Sequence, residues 1–196
     1  MADLYDRLEE IQGMTRILGE DVTYLRPLLG ELNIQVAPST ADESNRRSYV
    51  RAIFALIEAV VEQHKRLLLD LAERGSVSIA PAERLALSER TYVVKDNGAV
   101  VEKDQFLSFA RKIKLVYRTA AVAFNQTLRV QVGGHHWDAF LKATQIRDRI
   151  THPKTFHECH PDEDDIAEVE TSHDWFRTLS NEFVRVAREH RQAHQW

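Results

Sequence analysis

A chain of 196 residues, 43% hydrophobic and 29% charged, has the length and composition of one globular domain, or of one domain with an appendage. Its net charge of −4 excludes the broad basic face that gripping long duplex DNA requires, and leaves room only for a local basic patch. The single cysteine, Cys159, excludes an intrachain disulfide and fits a reducing cytoplasm, and no apolar run approaches the ~20 residues of a membrane span.

The N-terminus, Met1-Ala-Asp-Leu-Tyr-Asp-Arg, has neither the basic start nor the apolar run of a signal peptide. Leu4, Leu8, Ile11 and Leu18 recur at helical spacing and predict a first helix over about residues 2–19. Val22, Leu25, Leu28, Leu29 and Leu32 predict a shorter second one, disturbed at Pro27. A polar connection covers 37–45, and within it Thr40 and Glu43 have the spacing of a capping box.

The clearest helix follows, from about 46 to 74, on the stripe Val50, Ile53, Phe54, Ile57, Val61, His64, Leu67, Leu68 and Leu71, with Gly75 as its stop. His64 lies inside that stripe and reads as a packed core histidine. Glu58 borders it, either as a solvated edge residue or as the partner of an arginine. Pro81 opens a short helix to about Glu89. Two β-branched runs then flank Asp96-Asn97-Gly98, which predicts a hairpin over 91–102 that must lean on the helices or on a partner.

Phe106, Phe109, Ile113, Val116, Ala120, Phe124 and Leu128 predict a long helix over about 103–129, ended before Gly133-Gly134. The next, about 135–151, is apolar on two faces, with Trp137, Phe140, Leu141 and Thr144 on one and Ala139, Ala143, Ile146 and Ile150 on the other. Such a helix is sandwiched within one core, or between a core and a partner. An acidic loop and a final helix, or a broken pair, complete an all-α antiparallel bundle with one inserted hairpin.

The richest chemistry lies at the end of the 135–151 helix, in Arg147-Asp148-Arg149-Ile150-Thr151-His152-Pro153-Lys154. An imidazole moves protons near neutral pH and a guanidinium holds a phosphate. Residues 142–154 carry four basic side chains against one acidic, and 157–170 carry seven acidic and no Lys or Arg. Pro153 disfavours helical geometry at His152, whose cationic form gains from the negative helix end. Asp148, four residues earlier, shares its face and is placed to orient the ring. Arg147 is five residues earlier, about 140° around an ideal helix. For Arg147 and His152 to meet on one ligand, the helix end unwinds, the arginine reaches around, or a second chain completes the site. The plain structural alternative is a solvated salt-bridge cluster beside a fraying histidine.

Other constellations are weaker. His157-x-Cys159-His160 and His135-His136 contain transition-metal ligand types, but their spacing matches no zinc signature, and no metal or cofactor is expected. Asp162-Glu163-Asp164-Asp165 lacks the glycine and spacing of an EF-hand and reads as an acidic helix start.

Arg147-Asp148-Arg149-Ile150-Thr151-His152 resembles the Arg-x4-6-His motif of HEPN domains. The likeness extends to the helix order, the Arg-rich start of the long helix (Arg46, Arg47, Arg51) and the His-Pro-Lys ending. It covers about residues 40–195, so that 1–36 form an N-terminal helical extension to a HEPN-like domain at 40–196, packed as one unit. The resemblance implies a homodimer with two motifs facing across a cleft and a metal-independent endoribonuclease of toxin–antitoxin or phage-defence type. In that reading Arg147, Asp148 and His152 are catalytic, Arg149 and Lys154 hold the RNA backbone, and a cognate antitoxin is a further partner. The alternative is a non-catalytic nucleotide- or protein-binding module. No motif residue departs from the pattern; the hairpin and the acidic loop lie outside it.

Overall fold

The computed structural model describes residues 4–25, 40–128 and 134–194. The fold is an all-α bundle with one small hairpin. Among the described residues there are six α-helices: α1 Leu4–Leu25, α2 Thr40–Glu73, α3 Pro81–Leu87, α4 Phe109–Ala123, α5 Gly134–Thr151 and α6 Glu163–His194. The hairpin strands are β1, Arg90–Val94, and β2, Val100–Asp104. No described helix is long and apolar enough to cross a membrane.

The chain divides into two compact units. The first comprises residues 1–60 and 131–180, the second 61–130 and 181–196, and α2 and α6 contribute a segment to each. In the first unit Val50, Ile53, Phe54 and Ile57 of α2 are buried, as are Phe140, Ala143 and Ile150 of α5 and Val169 and Leu179 of α6. Its centre is aromatic. Phe140 lies 5.2 Å from Trp137, 5.3 Å from Trp175 and 6.5 Å from Phe54, centroid to centroid. These are the distances at which tilted and edge-on rings attract. Both apolar faces predicted for the 135–151 helix are therefore used, with Leu141 left at the margin.

In the second unit His64 is fully buried, as its place in the apolar stripe predicts. Its ring stacks on Phe183 at 3.8 Å and 9°, and Nδ1 lies 3.0 Å from the Tyr117 hydroxyl. Burial in this apolar setting pushes its pKa down to about 3, and burial likewise pushes Tyr117 well above its usual value.

The strands pair antiparallel with Val93 opposite Val101 and Arg90 opposite Asp104. The turn runs through Asp96-Asn97-Gly98, where Gly98 has φ +77°, a conformation only glycine adopts freely. The hairpin leans on the helices at its base. Glu89, at φ +54°, accepts from Lys65 of α2 at 3.0 Å and from Lys112 of α4 at 2.6 Å, and its carbonyl accepts from the Gln105 amide. The two lysines hold the Glu89 carboxyl below its usual range.

Element ends differ from the sequence expectation in four places. The first helix runs to Leu25, so Val22 and Leu25 extend α1; the rest of the expected second helix lies outside the described residues. α2 begins at Thr40, six residues early. The expected 103–129 helix is confined to 109–123, because β2 and its ladder bond at Gln105 consume its start, leaving Phe106 exposed. The last helix is unbroken from Glu163. Asp162 and Asp165 start it reciprocally: each backbone amide donates to the other's carboxylate, at 3.1 and 2.8 Å.

Candidate functional site

One face of α2 organises the motif. Arg47, Arg51, Phe54 and Glu58 follow the 4–3–4 spacing that aligns side chains along a helix. Arg51 donates to the Ile150 carbonyl in the last turn of α5 at 3.2 Å, and Arg47 donates to the Cys159 carbonyl at 3.2 Å. Neighbouring Arg46 reaches the Pro161 carbonyl at 3.4 Å. Three guanidiniums thus hold the segment in which α5 ends and the chain turns toward α6. They also set positive charge against the negative end of the α5 dipole.

Glu58, one end of that face, accepts a hydrogen bond from Arg147 Nη2. Of its two sequence readings, the arginine partner is the one realised. Arg147 Nη1 donates to Asp148 at 2.9 Å, and its guanidinium carbon lies 6.0 Å from the Phe54 ring centroid. The arginine is half-buried, flanked by two carboxylates and backed by an aromatic ring.

The end of α5 stays regular. The His152 amide donates to the Asp148 carbonyl at 2.9 Å, and Thr151 Oγ1 donates to the Arg147 carbonyl at 2.7 Å. The helix does not unwind before the histidine, and Arg147 is turned toward Glu58. The His152 ring is exposed and makes no hydrogen bond or ion pair with a described residue. Asp148 lies four residues before His152, yet its carboxylate accepts a hydrogen bond from Arg147. Within one chain, then, Arg147 and Asp148 form a pair and His152 stands alone in solvent.

The two backbone-holding candidates differ. Arg149 Nη2 is bonded to the Asp165 carboxylate at the start of α6, and its Nε is buried without a partner. Lys154 is exposed, and its amide donates to Glu158. Beside Arg149 lies a shallow cleft of about 370 Å³, where Lys142 bonds Glu168 at 2.7 Å.

Among the described residues no group of three or more His, Cys, Asp or Glu is placed to share a metal ion. His160 turns Nδ1 to the Phe156 carbonyl at 2.7 Å and Nε2 to Glu43 at 3.1 Å, so oxygens occupy both ring nitrogens.

Sequence reasoning left out the carbonyl-holding role of Arg46, Arg47 and Arg51 and the Arg149–Asp165 pair. The four-residue spacing of Arg47 and Arg51 was the available signal for the first. Asp165 had none, being one of several equivalent carboxylates in its run. No protein-family model, no curated protein and no solved structure matches this chain.

Proposed function

We propose that this chain is a metal-independent endoribonuclease of HEPN type, active in the cytoplasm as a homodimer in a toxin–antitoxin or defence setting. The observation that carries the reading is the state of His152: an exposed, unpartnered imidazole one turn beyond an arginine whose direction is set by Glu58 and Asp148. A regular helix end keeps that arginine and histidine on different faces, so a second copy is the route by which both reach one phosphodiester.

In such a dimer one imidazole takes the proton of the ribose 2′-hydroxyl as its oxygen attacks phosphorus. The imidazole of the other copy protonates the departing 5′-oxygen. The products are a 2′,3′-cyclic phosphate and a 5′-hydroxyl. Arg147 neutralises charge gathering on the phosphoryl oxygens. Lys154 holds an adjacent phosphate.

The test is cleavage of single-stranded and structured RNA in the presence of EDTA. The reading expects cyclic-phosphate products and a loss on the order of 100-fold or more in His152→Ala. Intact RNA at high protein concentration, or full activity in His152→Ala, sinks it.

One observation favours a second reading. Both side chains that Arg147 hydrogen-bonds are carboxylates, which lessens the charge offered to a phosphate. A non-catalytic module that binds a nucleotide or a protein, such as an antitoxin, fits that arrangement. There Arg147→Ala loses the ligand while the wild-type protein cleaves nothing.

A further inference from the structure

The two outer edges of the hairpin are chemically different. The ladder bonds Lys95 N to Ala99 O and Gln105 N to Glu89 O fix which residues face inward. Glu89, Thr91, Val93 and Lys95 direct their backbone groups toward β2. Arg90, Tyr92 and Val94 direct theirs outward. Neither outer edge bonds to another described backbone group. An exposed edge of this kind is a template for a further strand unless charges guard it. β2 is guarded, with Glu102, Lys103 and Asp104 in its five residues. β1 is not: Thr91-Tyr92-Val93-Val94 is an uncharged run of strand-forming residues, with Tyr92 57% and Val94 68% exposed.

We propose that β1 pairs antiparallel with β1 of a second copy of this chain, about a two-fold axis at Val93, giving the four-stranded order β2–β1–β1′–β2′. This inference is independent of the ribonuclease reading. The register follows from the backbone pattern and the side chains. Val93 sits opposite its own copy at a position without backbone bonds. Tyr92 of each copy faces Val94 of the other in a fully bonded pair. Arg90 of each copy, which already donates to Glu102 of its own hairpin at 2.8 Å, comes toward Asp96 in the turn of the other, opposite in charge. On one face, the existing pairing of Val93 with Val101 makes a row of four valines across the new sheet. On the other face, the pairing of Val94 with Val100 and of Tyr92 with Glu102 makes two rows, each running valine, valine, tyrosine, glutamate. Centring on Tyr92 instead sets Arg90 against Val94 and loses the charge match. β2 centred on Glu102 sets like charges together, and centred on Val101 it sets Val100 against Glu102. The β1 contact is also isologous: it closes on itself and leaves only guarded β2 edges outside, so the sheet stops at four strands. Two strands of five residues bury less than the roughly 1,200 Å² of a standard stable interface, so the association is weak and concentration-dependent.

The test is directed cross-linking of the full chain, with Cys159→Ser removing the native thiol. Opposed Cα atoms at the two-fold position lie about 4.5 Å apart, within the roughly 4.4–6.8 Å that a disulfide spans. Under mild oxidation Val93→Cys is expected to form a covalent dimer at least fivefold faster than Glu102→Cys on the guarded edge. Adding Val94→Lys, a change at an exposed side chain, is expected to abolish that advantage while the circular dichroism melt stays in place. The unsubstituted chain is expected to rise in weight-average mass with concentration in analytical ultracentrifugation, and the same lysine variant without Val93→Cys to rise less. Equal cross-linking at positions 93 and 102, cross-linking indifferent to Val94→Lys, or an unchanged mass profile overturns the proposal.

Discussion

Arg147 of α5 donates to Glu58 of α2, a residue 89 positions earlier in the chain. The contact decides which way the motif arginine points. It draws the guanidinium toward α2, over Phe54, while His152 five positions later remains in solvent. A motif that is contiguous in sequence is thereby split into an anchored half and a free half.

Removing the anchor separates orientation from charge. Glu58→Gln keeps an oxygen acceptor for Arg147, whereas Glu58→Ala leaves the guanidinium free to swing. Both residues are a third or more exposed, so either change costs under about 1 kcal/mol of stability. If Arg147 acts on a phosphate, Glu58→Ala slows RNA cleavage on the order of 10- to 100-fold through misplacement. Glu58→Gln stays within a few fold of the unsubstituted protein. Single-turnover rates beside thermal melts distinguish these effects, and undiminished cleavage by Glu58→Ala contradicts an orienting role for the carboxylate.

Arg149 and Lys154, alike as local positive charges in the sequence, separate by experiment. Arg149→Ala strands the mostly buried Asp165 carboxylate without its cation and costs about 1–3 kcal/mol, read as a lower urea midpoint. Lys154→Ala touches only an exposed side chain and leaves the midpoint alone; if the chain binds RNA as proposed, it weakens that binding with a shallower salt dependence. A urea midpoint for Arg149→Ala equal to that of the unsubstituted chain contradicts the structural role of its ion pair.

What the sequence made visible follows from the range of the forces involved. The stripes of α2 and α5 are local periodicities, and they located both helices and the buried His64. The turn at Asp96-Asn97-Gly98 is likewise local, because a glycine is needed where φ is positive. Phe106 misled for the same reason: it sits in register with Phe109 and Ile113, but the Glu89–Gln105 ladder bond claims the chain there. The partners of Arg147 and Arg149 depend on tertiary placement. No spacing rule distinguishes Asp165 from its acidic neighbours, or an arginine that bonds backbone carbonyls from one that faces solvent.

The start of α6 offers a stability test that changes no contact of Arg147. Asp162 accepts the Asp165 amide and its own amide donates back to Asp165, satisfying two groups that a helix end leaves open. Asp162→Ala is expected to cost about 1 kcal/mol, and Asp162→Asn, which keeps the side-chain acceptor, a few tenths of that order. Chemical denaturation of the two variants gives the comparison. Equal losses contradict a capping role for the Asp162 oxygen.

His64 sets the acid limit of the second unit. Its folded pKa, about 3, lies below the ordinary histidine value of 6.5, so the unfolded chain binds the proton more readily. The neutral ring therefore contributes its full stability above pH 6.5, and that contribution is lost as pH falls toward 3, at up to about 1.4 kcal/mol per unit. Tyr117 and Phe183 are the groups against the ring, and neither carries a compensating negative charge at these pH values. His64→Phe keeps an aromatic ring against Phe183 but cannot take up a proton. It is expected to be less stable than the unsubstituted chain at pH 7, where the Tyr117 contact is lost, and to lose less of its remaining stability between pH 7 and pH 4.5. Melting temperatures at the two pH values measure the difference of differences. A parallel decline in both proteins assigns the acid sensitivity to other groups and removes His64 as its source.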